Sequence, residues 1–106
     1  MISFEDFSKL ELKIAKVLEA NRVEGSIKLL QLQISLGTEV RQIIAGIGLY
    51  YSPEDLIGKE IVVVANLEPK KLMGLESQGM LLAASEDGKI ALLVPDKDMT
   101  PGANIH

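Results

Sequence analysis

The stretch Ile61–Ala84, IVVVANLEPKKLMGLESQGMLLAA, constrains the fold more than any other part of this chain. It opens on Ile61-Val62-Val63-Val64-Ala65, a short, wholly apolar and largely β-branched run. Such a run reads as a strand buried on both faces. It closes on Met80-Leu81-Leu82-Ala83-Ala84, which reads the same way. Between the two lie Asn66, Pro69, Lys70, Lys71, Gly74, Ser77 and Gly79. A polar loop pinned between two core strands is where binding residues collect. The same residues serve equally as turn formers, with the lysines keeping the loop solvated. The residues alone leave both readings open.

The rest of the chain supplies strands to pack against this unit. Ser3 to Leu10 reads as a short helix, with Ser3 and Asp6 at capping-box spacing and Phe4 and Phe7 on one face. The two phenylalanines read either as a lid on the core or as part of a subunit interface. Leu12 to Val23 predicts a long first strand whose inside–outside phase slips near Ala15 and Lys16. A slip of that kind is a bulge, which lets one strand serve two sides of a small barrel. Glu24-Gly25-Ser26 is a turn, and Leu30, Leu32, Ile34 and Leu36 then alternate with polar residues as a half-buried strand. Gly37-Thr38-Glu39 turns the chain into a third strand, Val40 to Ile47. Ser52-Pro53-Glu54-Asp55 starts a second short helix that Gly58 ends. Asp87-Gly88 is a turn before a last strand, Lys89 to Val94, and Pro95 to His106 reads as a polar tail. The expectation is one domain over residues 1–106, a small all-β barrel with terminal extensions.

Several function classes find no support. The only histidine is His106, at the last position, and there is no cysteine. No ligand set for a transition metal can be assembled from that inventory, and Ser77 has no histidine to act as its base. The glycines around Ile47 lack the strand-and-helix setting of a phosphate-binding loop. No apolar run approaches the ~20 residues of a membrane helix. The opening residues, Met1 to Asp6, lack the basic start and apolar core of a secretion signal. The expectation is a cytoplasmic binding protein without metal or cofactor, and not an enzyme. Its formal charge of −4 is awkward for a nucleic-acid ligand. The acids gather toward the two ends, however, and Lys28, Arg41, Lys59, Lys70 and Lys71 lie in the middle. A local basic patch with modest affinity fits that distribution.

The pattern Asn66-Leu67-x-Pro69-x-Lys71-Leu72-x-Gly74-x-x-Ser77-x-Gly79-Met80 closely resembles the tRNA-binding OB domain family. This family includes the C-terminal domain or β subunit of methionyl-tRNA synthetase and small free-standing tRNA-binding proteins. The resemblance extends upstream through Val23-Glu24-Gly25-Ser26-x-Lys28-Leu29-Leu30 and Arg41-Gln42-Ile43-Ile44-Ala45-Gly46-Ile47, nearly the whole chain. It implies a five-stranded Greek-key OB-fold barrel with a short helix between strands 3 and 4. It also implies a homodimer that binds the outer corner of tRNA with little regard to anticodon, alongside a methionyl-tRNA synthetase catalytic subunit. Carried over by position, Lys28, Arg41, Asn66, Lys71, Ser77 and Met80 match the RNA-contacting pattern, and Lys70 adds a cation beside them. For Asn66, Ser77 and Met80 the alternatives are a turn residue, a loop cap and a core residue respectively. The sequence departs from the family at Ile27, where aspartate is common, at Glu68, where lysine is frequent, and in lacking a histidine near Val23. With Phe4, Phe7, Tyr50 and Tyr51 as the only aromatics, base stacking is not the expected mode. Recognition of folded RNA through its backbone and 2′-hydroxyls is. A dimeric export-related chaperone of the same fold is the alternative, and a pure dimerisation domain a third.

Overall fold

In the computed structural model, which describes residues 1–106, strands dominate and helices are brief. The elements in chain order are α1 (Phe4–Phe7), β1 (Leu12–Arg22), β2 (Leu30–Ser35), β3 (Val40–Ala45), α2 (Pro53–Leu56) and β4 (Glu60–Val64), followed by β5 (Lys70–Leu72), β6 (Leu75–Ser77), β7 (Met80–Leu81), β8 (Ala83–Glu86), β9 (Lys89–Leu92) and β10 (Asn104–Ile105). Their order in the main sheet is β3-β2-β1-β4-β7, all antiparallel. Read from β4, the sequence β4-β1-β2-β3 is a Greek key. The expected barrel wall is therefore present, with α2 between its third and fourth strands.

The hydrophobic pattern explains the curl. Leu30, Leu32 and Ile34 point inward and are almost fully buried, while Gln31, Gln33 and Ser35 between them are half-buried. Strand β4 is buried along Ile61–Val64, as its unbroken apolar run requires. Pairing of β1 with β2 shifts register between Val17 and Glu19, two residues beyond the position the phase slip suggested. This bulge lets β1 pair with β4 through Leu12–Lys16 and with β2 through Lys16–Arg22. The core gathers Ala15, Val17, Leu30, Leu32, Ile34, Ile43, Leu56, Ile61 and Val63.

Four local expectations are corrected. The run Met80–Ala84 is not a doubly buried strand. It leaves β4 at Leu82, whose N–H donates to Val62 at 3.0 Å while its carbonyl accepts from Leu93 at 3.1 Å. The strand thus changes partners, from β4 in β7 to β9 in β8, and Ala83–Glu86 is exposed throughout. Phe4 and Phe7 do not lid the core, and Phe4 is 82% exposed. The loop after β4 carries a two-stranded ribbon, β5–β6. The C-terminal segment is not a free tail. Its β10 pairs with β1, Glu60 accepts the Met99 N–H at 3.0 Å, and Gly102 N–H donates to Ile14 at 2.7 Å. Gly102 has φ +93°, and a Cβ there would lie 2.1 Å from the Leu36 carbonyl oxygen. Only glycine permits that approach.

Candidate functional site

Two connections meet at one end of the barrel. The first runs from Val23 to Leu29. Ser26 Oγ accepts the N–H groups of Lys28 (3.2 Å) and Leu29 (3.1 Å), so a serine side chain shapes the turn. Gly48 N–H donates to the Lys28 carbonyl at 2.7 Å. A Cβ on Gly48 would fall 2.8 Å from that oxygen and 2.9 Å from the one on Ile27, so glycine is required there too. Lys28 is left exposed without an acid partner.

The second connection is the β5–β6 hairpin, which pairs Lys70 with Ser77, Lys71 with Glu76 and Leu72 with Leu75. Its tip is Met73-Gly74, both at positive φ. A Cβ placed on Gly25 would lie 3.4 Å from the Met73 methyl, so the hairpin tip rests against the Lys28 connection. Lys70 and Lys71 are exposed and make no ion pair. Lys28, Lys70 and Lys71 therefore sit on two touching loops with unpaired charges.

Other candidate residues have internal duties. Ser77 is 5% exposed. Its Oγ accepts the Ile44 N–H at 2.9 Å and donates to the Gly79 carbonyl at 3.1 Å. It caps the loop and ties it to β3. Asn66 Oδ1 accepts the Glu11 N–H at 2.9 Å, and its Nδ2 donates to the Lys9 carbonyl at 2.7 Å. It fastens the end of β4 to the segment after α1. Arg41 donates to the Glu39 carboxylate and to the Ala65 carbonyl, and its side chain is 29% exposed. It alternates with Gln42 along β3, in step with the core residues Ile43 and Ala45. Gln42 and Ile44 alternate to the other face; the Gln42 side chain reaches the Glu76 carbonyl, and the backbone N–H groups of Gln42 and Ile44 donate along the strand edge to Gln78 Oε1 and Ser77 Oγ. Arg41 is thus on the face of β3 opposite to Ile44, which lines a groove together with Lys70. Met80, one of whose readings was core, is 49% exposed.

Met80 instead lines a groove of about 470 Å³ with Ile44, Leu67, Leu72, Gly79 and Ser77, and Glu68 and Lys70 stand in the same lining. The groove is mainly apolar; the sequence pattern marks Lys70, Ser77 and Met80 of its lining but not Ile44, Leu67 or Leu72, whose joint apolar surface is the feature it misses. Its residues come from β3, the start of the loop, both hairpin strands and β7. Also unmarked is a glutamine cluster. Gln31 and Gln33 read only as the polar half of an alternation, yet both donate to Gln42. Four glutamines at 31, 33, 42 and 78 were the available signal.

Electrostatically the hairpin is balanced. Between Asn66 and Met80 the charges of Lys70 and Lys71 offset those of Glu68 and Glu76. Attraction for an anion there depends on the unpaired geometry of the lysines, not on a net local charge. No cluster of metal-ligating side chains is gathered anywhere, and every buried side-chain polar atom has a partner. No helix is long and apolar enough to cross a membrane.

Residues 12–104 match a family model described as "Putative tRNA binding domain". A methionine–tRNA ligase of Caldanaerobacter subterraneus is 60% identical over 104 residues, which is 98% of this chain and 16% of that protein. The chain thus spans about 16% of the length of this curated relative. Among solved structures, a MetRS-related protein from Pyrococcus horikoshii superimposes with a TM-score of 0.95 at 37% identity, covering 100% of this chain and 98% of that one. The chaperone CsaA from Bacillus anthracis superimposes with a TM-score of 0.92 at 37% identity, covering 100% and 99%.

Proposed function

Because this chain belongs to the tRNA-binding domain family, we propose that it binds folded tRNA through the end of the barrel where the Lys28 connection and the β5–β6 hairpin meet. The observation that carries the reading is the set of three exposed lysines, Lys28, Lys70 and Lys71, unpaired and on touching loops. Ammonium groups so placed contact phosphates, which position a ligand but carry no sequence information. The module supplies binding and no chemistry. It acts in the cytoplasm as a β subunit or trans-acting partner of a methionyl-tRNA synthetase catalytic subunit. A second contact of this kind raises the synthetase's hold on tRNA by tethering, on the order of 10²–10⁴-fold.

The test is a salt titration of binding to several unrelated tRNAs and to a single-stranded oligonucleotide. All tRNAs bind with similar affinity and the single strand binds poorly. In Lys71→Ala, log K falls less steeply with log salt, by roughly one unit, and the fold is unchanged. Arg41→Ala reduces the slope as well if its outer N–H groups reach phosphate, and it also lowers stability because two internal bonds go with it. Equal slopes for wild type and Lys71→Ala would place the RNA elsewhere.

The protein is further proposed to be a homodimer. Met1, Ile2, Phe4 and Leu10 are exposed, and Phe4, Phe7, Leu10, Leu12 and Ile105 line a shallow apolar groove of about 220 Å³. Apolar surface of this kind marks an interaction site. Sedimentation equilibrium at micromolar concentration is expected to give twice the chain mass, and a monomer mass refutes the dimer.

One observation favours a second reading, as a chaperone. The 470 Å³ groove is mainly apolar, as an extended apolar peptide requires, and the superposition on CsaA covers the whole chain. An unfolded protein that displaces bound tRNA at equimolar concentration would favour it.

A further inference from the structure

The barrel closes on its third strand without a regular ladder. Strand β3 pairs with β2 along one edge, and its other edge has no strand partner. That edge is sewn to the return arm of the β5–β6 hairpin by mixed contacts. Gln78 N–H donates to the Gln42 carbonyl at 2.8 Å, and Gln42 N–H donates to Gln78 Oε1 at 3.1 Å. Gln42 Nε2 donates to the Glu76 carbonyl at 2.9 Å. Its Oε1 accepts from Gln31 Nε2 at 2.8 Å and from Gln33 Nε2 at 3.1 Å.

This arrangement has a definite direction. The Glu76 carbonyl only accepts, so the Gln42 group facing it is the amine. The Gln42 oxygen then faces β2, and Gln31 and Gln33 must both present amines to it. Both lone pairs of that oxygen are filled, so the Gln42 side chain is held at each end. What it holds is weak by itself. Strands β5 and β6 have three residues each, and an isolated two-stranded ribbon is marginal in water. Ser77 ties down the far end of β6, and Met73 touches the neighbouring loop. The stretch between them depends on Gln42.

We infer that Gln42 is the positioning residue of the binding hairpin, fixing the strand that carries Lys70 and Lys71 while the hairpin tip rests against the Lys28 connection. It touches no ligand. The inference rests on the hairpin being the RNA-binding element, and the test separates the two.

Gln42→Met keeps the length of the side chain and removes both its donor and its acceptor. Hydrogen exchange of the Leu72 and Leu75 amides, which form the hydrogen-bonded pair next to the turn, should accelerate at least tenfold, while amides in β1 and β4 exchange as in the wild type. Binding to tRNA should weaken about tenfold, with the salt slope reduced by roughly one to two units as both hairpin lysines lose register. In this background Lys71→Ala should have little further effect, whereas Lys28→Ala should keep its full effect. Such non-additivity marks coupled residues, and a merely structural contribution leaves the lysine effects unchanged. Gln42→Glu, which turns a carboxylate oxygen toward the Glu76 carbonyl, should act in the same direction. Gln78→Met should reproduce the exchange result at smaller size and decides the matter if both Gln42 variants fail to fold. Unchanged hairpin exchange, or a Lys71→Ala loss that is measurable in the wild type and equally large in the Gln42→Met background, overturns the role of Gln42. Faster hairpin exchange with no effect of Lys71→Ala in the wild type leaves that role intact and overturns the hairpin as the RNA site.

Discussion

The two ways in which β-strands are joined here differ in kind. Strands β1 and β4 are zipped residue by residue, Leu12 with Val64 through Lys16 with Glu60, and β4 is apolar and buried along Ile61–Val64. Strand β3 meets the β5–β6 hairpin through a serine hydroxyl, two glutamine amides and scattered backbone groups. Burial of the first kind removes many apolar atoms from water at once, roughly 25 cal/mol per Å². The second contributes net hydrogen bonds of about 1 kcal/mol each, because water competes for the same groups. The first kind makes a rigid wall. The second makes a seam whose position is specified but whose strength is modest, which suits an element that must meet a ligand.

Mutations can sharpen that contrast. Ile61 is wholly buried in the zipped half. Ile61→Ala should destabilise the protein by roughly 2–5 kcal/mol, measured as a shift in denaturant midpoint with unchanged slope. Amide exchange should accelerate over the whole sheet, because the loss is global. Ser77→Ala cuts the seam. It leaves the buried Ile44 N–H without its acceptor and the Gly79 carbonyl without its donor, at a cost of roughly 1–3 kcal/mol. Its exchange signature should be confined to Ile44 and residues 75–79, with β1 and β4 protected as before. If Ser77→Ala exposes β1 and β4 as much as Ile61→Ala does, the two halves unfold as one unit and the contrast is lost.

Much of the wall was legible because each strand carries its own instruction. Alternation from Leu30 to Leu36 and the apolar run Ile61–Ala65 are local patterns, and burial followed them. The Ser3 cap was legible for the same reason, and its Oγ does accept the Asp6 N–H at 3.0 Å. Less was legible where the outcome depended on a distant partner. The apolar residues of Met80–Ala84 look like those of Ile61–Ala65, but the former lie at an edge where the chain switches from β4 to β9. Among the candidate site residues, Lys28, Lys70 and Lys71 are exposed and lie on two connections that touch through Met73 and Gly25. Arg41 looked equivalent, yet strand alternation turns it to the other face of β3, where Glu39 and Ala65 occupy it.

The sequence by itself determined the number and order of the wall strands, the two short helices and the motif between β4 and β7, because hydrophobic period, turn residues and caps act over a few positions. Tertiary structure alone decided which polar side chains bind each other. Asn66 reaches across 55 positions to Glu11, and Gln42 across 34 to Glu76. A side-chain amide pairs with whatever group the fold brings within about 3 Å, and no local pattern encodes that distance.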